Sequence, residues 1–146
     1  LQILMFALGG SPGQTFPNPL TVLAATRGKF LELGLRACGG SSAEAGDRGF
    51  MTGVLSLAGA LLGRPLPEIL GSLPLAEEIK TALLDRSGLL GRLLILAEAL
   101  EAGESAELSR HLEGLLALNV GSVNTLYIEA MVWADSLGVE AGRRET

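Results

Sequence analysis

The sequence predicts an all-α protein, a single multi-helix domain of six to eight helices without a sheet. Three observations carry that expectation. Of 146 residues, 31 are leucine and only 18 are valine, isoleucine or threonine, which favours side chains that lose little rotamer freedom in a helix over those that suit a pleated strand. Apolar residues recur at spacings of three and four. Glycine and proline punctuate the apolar stretches at helix-length intervals. The length suits one domain with a real core of its own, and no solenoid-type repeat or second composition regime divides the chain.

The elements follow in order. Leu1–Leu8 is an apolar helical segment that ends at Gly9-Gly10 and has no capping residue before it. The first N–H groups of a helix need partners, so the start is expected to be a cut inside a longer protein. After the turn formers Pro12, Gly13 and Pro17, Asn18 is placed to cap and Pro19 to take the first helical position. That helix runs to Cys38, with Leu20, Leu23, Ala24, Phe30, Leu31 and Leu35 as its apolar positions, and Gly39 stops it. Gly40–Gly46 reads as a loop, and Asp47 as the cap of a helix through Leu62. Pro65–Leu70 holds a short helix, and Leu75–Arg86 a further one with Glu77 and Glu78 in its first turn. Leu89–Ala102 and Ser105–Leu116 come next. The last helix is expected over Val123–Leu137, capped by Ser122 and stopped by Gly138, with Val139–Thr146 frayed.

Composition excludes several functions. A formal net charge of −5 leaves no basic stripe for phosphates, so nucleic acid is not an expected partner. No apolar run approaches the roughly 20 residues that span a bilayer, so membrane insertion is not expected either. Cys38 is the single cysteine, which rules out an internal disulfide and points to a reducing, cytoplasmic setting.

Candidate chemistry is sparse. His111, the single histidine, reads as a surface residue, because a metal centre wants further ligands converging on it. Cys38 reads as a buried structural thiol, with no base or positive charge to make it a nucleophile. Glu98, Glu101, Glu104 and Glu107 recur at every third position across the break at Gly103 and read as a solvated face. Gly9-Gly10 and Gly39-Gly40 follow no strand and lack the Gly-Lys-Ser/Thr ending of a phosphate loop. No catalytic, cofactor-binding or metal residue is expected, and no cofactor.

Four stretches occur in an order that resembles the later part of the HDOD domain, the HD-related output domain that follows an EAL domain in bacterial two-part signalling proteins. They are Arg27-Gly28-Lys29-Phe30-Leu31-Glu32-Leu33, Gly49-Phe50-Met51-Thr52-Gly53-Val54-Leu55-Ser56-Leu57, Leu73-Pro74-Leu75-Ala76-Glu77-Glu78-Ile79-Lys80 and Leu83-Leu84-Asp85-Arg86-Ser87-Gly88-Leu89-Leu90-Gly91. Leu1–Leu8 and the group Tyr127, Ala130, Trp133, Ala134 are similar to the family's flanking helices. The resemblance implies that residues 1–146 are the C-terminal portion of such a domain, with the upstream HDOD helices and the EAL domain absent. It also implies a degenerate member of the HD superfamily of metal-dependent phosphohydrolases. Catalytic HD proteins carry Gly-Leu-Leu-His-Asp-Ile-Gly, and Gly53–Gly59 is similar with Ser56 in place of the His and Leu57 in place of the Asp. An upstream His expected near Arg27 is missing.

The expectation that follows is a non-enzyme, a signalling and interaction module of a cyclic-di-GMP-linked bacterial regulator. Its expected partners are proteins, including its own missing N-terminal domains, or a second copy in a homodimer. A fragment of a metal-dependent HD-type phosphohydrolase is the alternative, and a structural helical oligomerisation domain is the third reading.

Overall fold

A computed structural model of the chain describes residues 18–40, 42–115 and 117–144, so the Leu1–Leu8 segment and Gly9-Gly10 lie outside the described residues. Eight helices and no strand occur among the described residues: α1 (Pro19–Ala37), α2 (Ala43–Leu55), α3 (Ala58–Leu62), α4 (Leu66–Gly71), α5 (Glu77–Asp85), α6 (Gly88–Ala102), α7 (Ser105–His111) and α8 (Val120–Arg144). The all-α expectation holds. Asn18 accepts from the Leu20 N–H at 2.9 Å and Pro19 occupies the first turn, as the sequence predicts. Gly39, at φ +100°, ends α1 in the left-handed conformation that glycine adopts without strain.

The expected boundaries fail at four places. The stretch read as a loop up to Gly46 is already helical from Ala43, because Ser42 rather than Asp47 caps α2, its Oγ accepting from the Ala45 N–H at 3.1 Å. The helix expected to run unbroken to Leu62 is interrupted at Ser56-Leu57, where the Ser56 hydroxyl donates to the Gly53 carbonyl at 2.6 Å. Helix α7 stops at His111, before the expected Leu116. The turn behind it, with Gly114 at φ +86°, is held by the Arg92 guanidinium donating to the Glu113 carbonyl. Helix α8 starts earlier and ends later than expected. Asn119 is its cap: Asn119 Oδ1 accepts from the Ser122 N–H and Ser122 Oγ from the Asn119 N–H, both at 2.9 Å. Gly138 does not stop it, since a helical glycine costs only about 1 kcal/mol, and the helix continues to Arg144.

Helix α1 lies at the centre, against α2, α6 and α8. Phe30 and Leu31 of α1, Leu55 of α2, Leu70 of α4 and Leu93, Leu94 and Leu96 of α6 are fully buried in one apolar cluster. Ala24, Phe50, Val54 and Leu57 form a second, smaller cluster with Trp133 of α8 against it. Two edge-on aromatic pairs seat α8: Phe30 with Tyr127 at 5.8 Å and Phe50 with Trp133 at 5.6 Å between ring centroids.

The α1–α2 contact depends on missing side chains. A Cβ on Gly53 would lie within 2.5 Å of Gly28 Cα, and one on Gly28 would lie 2.9 Å from the Phe50 carbonyl oxygen. One turn earlier in α2, a Cβ on Gly49 would meet the Leu31 carbonyl at 3.0 Å. As numbers rise along α1 they fall along α2, so the two are antiparallel and touch backbone to backbone. This explains why a glycine-rich stretch is helix here: the propensity cost is offset by an approach no other residue permits.

Gly53→Ala is therefore expected to destabilise the fold by about 2 kcal/mol or more, since the neighbour is backbone and cannot yield. Gly71→Ala, where an added Cβ meets nothing within 4 Å, is expected to be neutral or slightly stabilising. Urea denaturation of the two variants checks the contrast.

Candidate functional site

The glycine contact sets Arg27, beside Gly28, against the end of α2. Arg27 is the hub of a polar cluster set against the apolar core. Its guanidinium grips Glu101 of α6 through two parallel bonds, Nε to Oε2 and Nη2 to Oε1, each 2.7 Å. Its Nη1 donates to Ser56 Oγ at 3.0 Å. One side chain thus ties α1, the α2–α3 break and the last turn of α6. The Arg27 and Glu101 side chains are only 11% and 16% exposed, so the pair sits where screening by water is weak. Beside it Arg86, a non-glycine residue at φ +55°, bonds Glu98 of α6 at 3.0 Å. Tyr127 of α8 stands half-buried at the edge.

Burial works against the charge on Arg27. It is overcome by the hydrogen bond to Glu101 and the negative charges of Glu101 and Glu98, so the guanidinium is held charged more firmly than usual. Tyr127 is shifted upward, first by burial and then by the Glu101 charge, with Arg27 opposing.

Ser56 and Leu57, the positions aligned with the His-Asp pair in the HD comparison, do not fit a divalent cation. Ser56 Oγ is engaged by a guanidinium on one side and by the Gly53 carbonyl on the other, and the neighbouring positive charge repels a metal. Leu57 is packed in the apolar cluster with Phe50 and Val54. Among the described residues no three of His, Cys, Asp and Glu gather as a metal-ligand set.

The other candidates are scattered. His111 lies 3.9 Å from Glu107, one helical turn before it, and Glu107 also meets Arg110 at 3.3 Å. Cys38 is half-buried against the core, and burial pushes its thiol up. The glutamate series is not the solvated face expected. Glu104 is exposed, but Glu101 is enclosed by Arg27 and Glu98 is paired with Arg86. Sequence reasoning missed Glu101 although a signal was present: it falls four residues after Ala97 and seven after Leu94, both fully buried, and so on the inner face.

Comparison with known proteins adds one relationship. Over 92 residues, 62% of this chain, the sequence is 34% identical to the cyclic di-GMP phosphodiesterase CdgJ of Vibrio cholerae. The chain spans 21% of that protein's length. No family model matches the chain, and no solved structure does. The named relative is an enzyme, which corrects the expectation of a non-enzyme. No helix among the described residues is long and apolar enough to cross a membrane.

Two outcomes follow from the cluster. Glu101→Ala strands a buried guanidinium and is expected to cost about 3 kcal/mol, whereas Arg27→Met with Glu101→Leu loses less than the two single changes together, with a coupling of about 2 kcal/mol in denaturant titrations. Tyr127 favours its neutral form in the fold, so its contribution is complete below the ordinary phenol value of about 10 and is lost as pH rises through the higher folded value. Tyr127→Phe is expected to flatten that alkaline fall in stability, read as the thermal midpoint against pH.

Proposed function

We propose that this chain is an HDOD-like helical part of a bacterial cyclic di-GMP phosphodiesterase, in which it carries the contacts that pass a signal to the rest of the enzyme. The observation that carries the reading is the 34% identity over 92 residues to a protein of that activity. The all-α architecture supports the HDOD-like assignment, as does the meeting of Arg27-Gly28 with Gly53–Ser56, two of the stretches that resemble the family. A clasp that joins three elements through one charged side chain suits transmission. Displacement of α6 would pull on α1 and on the α2–α3 break together, because an interior this densely packed passes strain on.

The test uses the longer protein of which this chain is proposed to be a part. Hydrolysis of cyclic di-GMP is expected from it, and Glu101→Gln is expected to change the rate severalfold while circular dichroism stays native. Absence of any hydrolysis of cyclic di-GMP would contradict the assignment. A rate unchanged by Glu101→Gln would contradict the transmitting role.

A further inference from the structure

The outer face of α8 carries an apolar stripe that nothing among the described residues covers. Ile128, Met131 and Val132 are 60%, 50% and 65% exposed and fall at i, i+3 and i+4, side by side on one helix face. The opposite face of the same helix is firmly seated. Ala130 and Ala134 are buried, and Tyr127 and Trp133 make the two aromatic pairs with α1 and α2. Lys29 of α1 lies 5.0 Å over the Trp133 ring and fixes it further. The stripe is therefore presented on a rigid support, which lowers the ordering cost of binding.

Charge identifies the occupant. Glu129 lies one turn before Val132, and Asp135 one turn after Met131 and Val132; both are exposed. No Lys or Arg lies between Val120 and Leu137. An apolar stripe with acidic flanks is complementary to an amphipathic helix whose own stripe is flanked by lysine or arginine. A second copy of this chain would bring Glu129 and Asp135 against the same acidic groups, and like charges at an interface oppose that pairing. We propose that the Ile128–Val132 face of α8 is a docking surface for a basic amphipathic helix of a partner.

The experiment titrates the 146-residue chain with two synthetic helical peptides that share one apolar stripe, one flanked by lysine and the other by glutamate. Backbone amide shifts are followed by NMR. The lysine peptide is expected to shift signals between Gly121 and Leu137 and to bind at least about tenfold tighter than the glutamate peptide, a gap of about 1.4 kcal/mol. Glu129→Lys with Asp135→Lys, both at exposed positions, is expected to reverse the preference, and Ile128→Asp with Val132→Asp to abolish binding of either. Equal affinity for the two peptides, shifts confined to another face, or concentration-dependent shifts of the α8 face in the protein alone, which signal a second copy, would each overturn the proposal.

Discussion

The backbone contact between Gly28 and Gly53 is the constraint on which the rest of the structure depends. Two helices normally stand 8–10 Å apart because side chains keep them there. Here a Cβ on either glycine would run into the other helix, so α1 and α2 close to the shortest distance their backbones allow. The adjoining residues are then fixed in consequence. Arg27, next to Gly28, is brought against Ser56, one turn beyond Gly53, and Phe50 is turned toward Trp133 of α8. A bulkier pair at the crossing would separate these partners before any polar contact could form.

On that crossing the Arg27 cluster joins the core to its periphery. An ion pair in an apolar interior is weak evidence for stability, because desolvation of both charges offsets much of their attraction. What it supplies is geometry. The guanidinium satisfies Glu101 with a bidentate grip and Ser56 with a third bond, so the mutual position of α1, α2 and α6 is specified by directional contacts rather than by apolar area alone. The likeness to a cyclic di-GMP phosphodiesterase is the basis of the transmitting role proposed for the clasp. It also replaces the non-enzyme expected from the sequence with a segment proposed to serve an enzyme.

Much of the fold was legible because its signals are local. Asn18 before Pro19, Gly63 after Leu62 and Gly103 after Ala102 mark helix ends by their own chemistry, and the three-and-four spacing of leucines gives the elements between them. What was missed depends on partners distant in sequence. Gly40–Gly46 reads as a loop until Ser42 emerges as the cap, and the need for glycine at positions 49 and 53, inside the expected helix, shows only when α1 is laid against them. Glu101 reads as one of four solvated acids until Arg27, 74 residues earlier in the chain, reaches it. Ser56 was singled out as the residue that stands where the HD pattern has a His. Its role as the third partner of Arg27 follows from the helix crossing, which no spacing rule contains.

The glycine crossing places Arg27 in an enclosed, bidentate clasp with Glu101. Side-chain NMR of the arginine Nε–H groups tests it most directly, by comparing the exchange of each with water. The Arg27 Nε–H is expected to exchange far more slowly than that of Arg110, whose side chain is 70% exposed, and to show a scalar or through-space correlation to the Glu101 carboxylate. An Arg27 Nε–H that exchanges as fast as that of Arg110 would contradict the clasp and the crossing that builds it.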